Sequence, residues 1–145
     1  MAQGGSAVKG EYQHTLDAKG RLFIPAKLRE ELGENAILTK GLDGCLFLFS
    51  QEEWGKMEER ISQLPYTKSR KMKRYLISSA ADVATDKQGR ISIPQNLREN
   101  AGLTKDVTII GVLDRAEIWD TERWNAYNDE LDSEDIAETM EDIGF

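Results

Sequence analysis

The sequence predicts a mainly β protein with short helices, an α+β domain built from two tandem copies of one unit. Residues 16–30 read LDAKGRLFIPAKLRE and residues 85–99 read TDKQGRISIPQNLRE. The similarity continues, with one inserted residue, as far as Trp54 and Trp124. Two copies are too few for a solenoid. They indicate a pseudo-twofold body in which each copy covers the apolar face of the other.

Each unit begins with two strands joined by a turn. GEYQHTL alternates and is rich in β-forming residues, which predicts a strand. DAKG and DKQG are turn sequences, because Asp bonds its own backbone and Gly accepts a positive φ. RLFIP and RISIP predict short strands with Leu22 and Ile24, or Ile91 and Ile93, on one face. The proline that follows suits the first helical turn.

Each unit continues with a helix, two strands and a second helix. AKLREELG and QNLRENAG predict short helices closed by Gly33 and Gly102. AILTKG, VTIIG, CLFLFS and AEIWD predict strands. QEEWGKMEERISQL and TERWNAYNDEL predict helices that carry Trp54 and Trp124 inward.

The repeat and the shifts in composition divide the chain into five segments. Gly and Ser dominate the start, which predicts a flexible leader. In the tail, Ile136, Met140, Ile143 and Phe145 keep roughly helical spacing. The predicted segments are a leader at 1–9, a first repeat at 10–65, a basic linker helix at 66–80, a second repeat at 81–131 and an acidic C-terminal helix or tail at 132–145.

Composition and charge restrict the class of protein. With 39% hydrophobic and 31% charged residues, the chain fits a globular protein, and no signal segment or membrane-length apolar run occurs, so we expect it in the cytoplasm. The net charge of −7 argues against a nucleic-acid partner. However, residues 111–145 carry twelve anions and two cations, whereas residues 67–90 carry seven cations and two anions. A basic face on an acidic protein is therefore possible.

The basic linker helix has two interpretations. Met72, Tyr75 and Leu76 lie at helical spacing among several lysines and arginines in YTKSRKMKRYLISSA. The segment is either a solvated amphipathic helix that bridges the halves or a helix that faces phosphate.

The sequence offers little for catalysis. It has one histidine, His14, and one cysteine, Cys45, and neither has a counterpart in the other repeat. We interpret Cys45 as a buried core thiol and His14 as a surface or core residue. No HExxH, CxxC or glycine-rich phosphate loop occurs. We therefore expect no enzymatic activity, no cofactor, no metal and no small-molecule substrate.

The repeated Asp-x-x-x-Arg turns are explained by neither a core nor backbone geometry. Asp17 and Arg21, like Asp86 and Arg90, face each other across a tight turn. One interpretation is an ion pair that stabilises the turn, worth about 0–1 kcal/mol when exposed. The other is an arginine fork that Asp aims at phosphate oxygens or a guanine edge.

Several segments together resemble one known family. DAKGRLFIPAKLRE, CLFLFSQEEW, KRYLISSAADVATDKQGRISIPQNLRENAGL and GVLDRAEIWDTERW are similar to the MraZ family of bacterial transcriptional regulators, over about residues 10–145. The resemblance implies the swapped-hairpin fold of AbrB and SpoVT-type regulators, with two hairpin units forming one pseudo-twofold β-barrel. It also implies assembly into rings, commonly octamers.

The resemblance implies that double-stranded promoter DNA is the partner. The implied target is a set of direct repeats before a division and cell-wall gene cluster. The implied regulator that binds them is nucleoid-associated. In the second turn Gln88 stands where the first has Lys19, so the halves are not electrostatically equal. The DNA-binding residues it implies are Asp17, Lys19, Arg21, Asp86, Lys87 and Arg90.

Two other functions compete with the DNA-binding prediction. The acidic tail and the basic helix could dock protein partners, which would make the chain a ring-forming scaffold without specific DNA binding. An antitoxin of the same fold fits less well, because it has one hairpin per chain and a disordered tail. Binding to promoter DNA across a salt series distinguishes a regulator from a scaffold.

Overall fold

The computed structural model describes residues 7–145, so residues 1–6 of the predicted leader lie outside the described residues. β1 begins at Val8, two residues before the predicted strand. The strands are β1 (Val8–Thr15), β2 (Arg21–Phe23), β3 (Asn35–Lys40), β4 (Leu46–Ser50), β5 (Ala81–Ala84), β6 (Arg90–Ser92), β7 (Asp106–Leu113) and β8 (Ala116–Asp120).

The helices follow the strands in the order that the repeat predicts. They are α1 (Ala26–Leu32), α2 (Gln51–Ser62), α3 (Tyr66–Met72), α4 (Gln95–Asn100), α5 (Thr121–Asp129) and α6 (Ser133–Asp142), with a π-helical segment, Lys73–Ile77, that continues α3. Pro25 and Pro94 stand at the N-caps of α1 and α4, one residue before each helix, with φ of −51° and −54° as the proline ring requires. Within residues 7–145 no helix combines the length and the apolar character that crossing a membrane requires.

The two repeats exchange strands with each other. One antiparallel sheet has the order β1-β7-β8-β4-β3-β5, and β2 pairs with β6 in a separate two-stranded ribbon. β1 of the first repeat thus pairs with β7 of the second, and β5 of the second pairs with β3 of the first. In the ribbon, Leu22 lies opposite Ile91. The predicted α+β fold with tandem swapped-hairpin units is confirmed.

The six-stranded sheet does not close into the barrel that the resemblance implied. β1 and β5 are its two edge strands and do not pair with each other. The reason is that each of them leads through an Asp-to-Arg turn into a strand of the ribbon, which lies against both edges. The ribbon thus covers the opening in place of a direct β1–β5 ladder.

The larger hydrophobic core lies under the ribbon. Leu22, Ile24, Ile91 and Ile93 are all at most 2% exposed, as their alternation in RLFIP and RISIP predicts. They pack with apolar residues of α1, α4 and the inner face of the sheet. Since both repeats contribute to this core, neither half is expected to be stable without the other.

A second core lies on the other face of the sheet. It contains Cys45, Phe49, Trp54 and Trp119, which are 1–7% exposed. Trp124 is half-buried against it, with its ring centroid 5.3 Å from that of Trp119. Burial raises the pKa of the Cys45 thiol to about 12, so Cys45 is the inert core thiol that the sequence predicts.

Leu22→Ala tests the central place of the ribbon. Leu22 is fully buried, so its truncation leaves a cavity and should lower the free energy of unfolding by about 2–5 kcal/mol. Leu42→Ala is the control, because Leu42 is 63% exposed and should change the free energy by no more than about 0.5 kcal/mol. Urea denaturation followed by tryptophan fluorescence measures both. Equal losses would contradict a ribbon-centred core.

Candidate nucleic-acid interface

Each Asp-x-x-x-Arg turn is organised by its aspartate. Asp17 Oδ1 accepts hydrogen bonds from the backbone N–H groups of Lys19 and Arg21, each at 2.9 Å. Gly20, with φ of 77°, donates its N–H to the carbonyl of Asp17 at 3.0 Å. The positive φ is why glycine occupies this position. The carboxylate thus caps the turn before it contacts any side chain.

The same carboxylate also holds the arginine. Asp17 Oδ2 accepts from Arg21 Nε at 2.7 Å, which leaves the terminal nitrogens of Arg21 without a hydrogen-bond acceptor among residues 7–145. The side chain of Arg21 is 31% exposed. A guanidinium held at Nε presents its outer edge in a fixed direction, which suits a planar bidentate ligand.

The second turn repeats this geometry. Asp86 Oδ1 accepts from the N–H groups of Gln88 and Arg90, and Oδ2 accepts from Arg90 Nε, all at 2.9 Å. The Arg90 side chain is 28% exposed, close to the value for Arg21. The structure therefore places these two pairs as the sequence predicts, and their contact with DNA stays a prediction.

The ribbon brings the two turns together. Arg90 Nη1 lies 3.8 Å from Asp17 Oδ2, so the carboxylate of the first turn also attracts the arginine of the second. Phe23 pairs with Arg90 and Ser92 pairs with Arg21, so all four lie on the outer face of the ribbon. Lys19 and Lys87 are exposed in the turns. The predicted residues thus gather four cations and two aspartates around the ribbon.

Hydrogen bonds favour the ionised forms of Asp17 and Asp86. A hydrogen bond from the backbone N–H of Arg21 keeps the pKa of Asp17 below its ordinary value, and the Arg21 side chain lowers it further. In the second turn the N–H of Arg90 lowers the pKa of Asp86 in the same way. Both carboxylates therefore hold their arginines throughout the neutral range.

Arg29 and Arg98 support the turns, a role that the sequence analysis missed. A Cβ added to Gly20 would lie 2.7 Å from Arg98 Cζ, and one added to Gly89 would lie 2.8 Å from Arg29 Cζ. Each turn glycine thus lies against the guanidinium of the other repeat. The signal was available, because these arginines occupy equivalent positions in the repeated Leu-Arg-Glu.

Backbone hydrogen bonds fix the same exchange. Ile24 donates its N–H to the carbonyl of Gly89, and Ile93 donates to that of Gly20, both at 2.9 Å. Arg29 Nε also donates to the Ile24 carbonyl at 2.8 Å, whereas Arg98 Nε is buried without a partner among the described residues. Each turn is therefore positioned by the opposite repeat.

The other residues that the sequence singles out, His14 and those of the basic helix, lie outside the two turns. The His14 ring lies 5.2 Å from that of Phe23, beside the ribbon. Residues 7–145 contain no group of three His, Cys, Asp or Glu side chains that could hold a metal ion. The basic helix is exposed at its lysines and arginines, separate in sequence from the turns.

Comparison with known proteins gives a family match over both repeats. The family model described as "MraZ protein, putative antitoxin-like" matches residues 7–74 and again residues 76–143. A protein of Acetivibrio thermocellus named "Transcriptional regulator MraZ" is 55% identical over 140 residues, which are 94% of this chain and 98% of that relative. A protein of Heliobacterium modesticaldum with the same name is 52% identical over 138 residues, 92% of this chain and 96% of that relative.

The pKa of Asp17 tests the geometry of the turn. In Arg21→Ala the side-chain hydrogen bond is lost but the backbone N–H remains, so the pKa should rise and still stay below the ordinary value. Carboxyl ¹³C NMR measures it. A group with a lowered pKa stabilises the fold above the unfolded-state pKa and loses that effect as pH falls through the folded pKa. An unchanged Asp17 pKa in the variant would contradict the contact.

Proposed function

The chain belongs to the MraZ family, and on that premise we propose that it is a DNA-binding transcriptional regulator. The observation that carries the proposal is the pair of aspartate-held arginines, Arg21 and Arg90, on one face of the ribbon. Relatives named as transcriptional regulators support it. Those relatives are named as regulators rather than enzymes, which agrees with the prediction that the chain is not an enzyme.

The ribbon reads DNA as a unit. The major groove of B-DNA admits a two-stranded β-ribbon, and an arginine fork fits the O6 and N7 atoms of guanine or two phosphate oxygens. Asp17 and Asp86 fix the direction of the forks, so little side-chain entropy is lost on binding. Lys19 and Lys87 add phosphate contacts beside them.

The two turns contact DNA unequally. Each has one lysine, but Lys19 lies directly before Gly20, whereas Lys87 lies two residues before Gly89 and Gln88 takes the equivalent position. The cations of the two turns therefore reach different phosphates. This difference would give a single chain a polarity on the duplex, as binding to direct rather than inverted repeats requires.

Assembly into a ring compensates for the weak DNA binding of a single chain. One chain neutralises few phosphates, so its binding is weak and strongly salt-dependent. A ring of several chains, an octamer by the family resemblance, presents the ribbon many times and gains affinity on repeated boxes through high effective concentration. We place those boxes upstream of the division and cell-wall gene cluster, which makes the protein nucleoid-associated.

Removing the arginines tests the proposed contact. Arg21→Ala and Arg90→Ala should each weaken binding to the protein's own upstream DNA by about 1–3 kcal/mol per engaged turn, or about five- to 150-fold. Fluorescence anisotropy across a salt series measures it. Lys71→Ala, in the basic helix, is the control and should have a smaller effect. Unchanged affinity in both arginine variants would contradict the proposed contact. If the wild-type protein does not bind the DNA at low salt, the result would favour the scaffold function.

A double-mutant cycle tests the support across the repeats. Arg98 lies against Gly20 in the turn that holds Arg21, so Arg98→Gln should weaken DNA binding by misplacing Arg21. The loss should shrink in the Arg21→Ala background and persist in the Arg90→Ala background. Equal losses in the two backgrounds would contradict the cross-repeat support, and would indicate that Arg98 contacts DNA itself.

A further inference from the structure

The C-terminal helix exposes an apolar stripe. Ile136, Met140 and Ile143 follow one another at helical spacing on α6 and its last turn, with 45%, 47% and 71% of their surfaces exposed, and Phe145 is 88% exposed. No residue of α6 is buried. A helix of this kind gains its stability from packing, so its stripe requires a covering surface that residues 7–145 of the same chain do not supply.

The equivalent segment of the first repeat is anchored in the fold. The family match ends at residue 74 in the first repeat and at residue 143 in the second, so the basic helix and α6 both lie at the ends of their repeats. Leu76, in the π-helical segment that continues α3, is 4% exposed, and its carbonyl accepts a hydrogen bond from Thr39 Oγ1 at 2.8 Å. Tyr75 Oη donates to the carbonyl of Gly41 at 2.5 Å. The duplicated helix is thus docked in one repeat and undocked in the other.

The two equivalent helices carry opposite charge. Residues 66–77 have five cations and no anion, and residues 133–145 have five anions and no cation. Charges of opposite sign on two exposed surfaces favour their association and fix which surfaces meet. The cations are Lys68, Arg70, Lys71, Lys73 and Arg74, and the anions are Glu134, Asp135, Glu138, Glu141 and Asp142.

A groove beside the basic helix has the matching chemistry. It lies between α2 and the π-helical segment, has a volume of about 340 Å³, and is lined by Ile61 and Ile77, by Lys73 and Glu58, and by two serines. Apolar side chains at its floor suit the stripe on α6, and the lysine suits the acidic flank of that helix.

We propose that α6 of one copy docks in the groove between α2 and the π-helical segment of a second copy. Charge complementarity identifies the occupant as another copy of this chain. Because α6 and the groove are different surfaces, a contact made head to tail leaves a free α6 on one copy and a free groove on the other, and it propagates from copy to copy until a ring closes, as the proposed function requires. The inference rests on the proposed function, because it supplies the interface of the ring that presents the ribbons to DNA.

Charge reversal in the full-length chain tests the interface. One variant combines Glu138→Lys, Glu141→Lys and Asp142→Lys, which place cations where the helix dipole favours them. The second combines Lys68→Glu, Lys71→Glu and Lys73→Glu. By multi-angle light scattering each should fall to half or less of the wild-type mass. Their equimolar mixture should recover that mass, because every reversed helix then meets a reversed groove. Glu31→Lys, on α1, is the control and should keep the wild-type mass.

Three results would overturn the inference. They are a wild-type chain that is monomeric, variants that keep the wild-type mass, and a mixture that does not reassemble. Far-ultraviolet circular dichroism verifies that each variant is folded.

The same variants separate this inference from the proposed function. On a short duplex from the upstream region, the α6 variant should bind through Arg21 and Arg90 with no more than a few-fold loss. Failure of the wild type to bind that duplex would overturn the regulator proposal, while the mass measurements would still decide the docking. A basic-helix variant that loses duplex binding at unchanged mass would identify the helix as a phosphate surface, which overturns the docking.

Discussion

The exchange of hairpins between the two repeats is the constraint on which the rest of the structure depends. β2 pairs with β6, and the carbonyls of Gly20 and Gly89 accept hydrogen bonds from the opposite repeat. Because the ribbon and the residue after each of its strands supply four buried side chains to the larger core, its pairing and the packing of the domain form together. The turns at the ends of the ribbon are therefore held by the folded domain rather than by their own short strands, which would be only marginally stable alone.

That constraint explains why an exposed ion pair can have a precise geometry. An isolated surface pair contributes little to stability. Here the aspartate is first fixed by two backbone N–H groups in each turn, and only then binds the arginine. The support of each glycine by an arginine of the other repeat fixes the turn from beneath. The outcome is a pair of oriented guanidinium groups on a rigid ribbon, in a protein whose overall charge is negative.

Much of this could be predicted from the sequence, because the duplication shows twice which residues matter. The apolar alternation in RLFIP and RISIP predicts the buried face, and the Asp-to-Arg spacing predicts the turn. The open sheet could not be predicted, since local patterns do not determine which edge strands meet. The support by Arg29 and Arg98 was also missed, because it joins residues 60 and 78 positions apart across the exchanged strands. The basic helix packs against the fold whereas α6 does not. This difference also depends on tertiary packing, so local patterns could not predict it.

Affinity cleavage tests the central claim, that the ends of the ribbon face the DNA, most directly. An iron chelate attached at Lys19→Cys or Gln88→Cys would lie in the turns, and one at Lys71→Cys would lie on the basic helix. Cys45 is buried and would not be labelled. The account predicts strong, localised cutting of upstream DNA from both turn positions and weak cutting from position 71. Stronger cutting from position 71 than from either turn would contradict it.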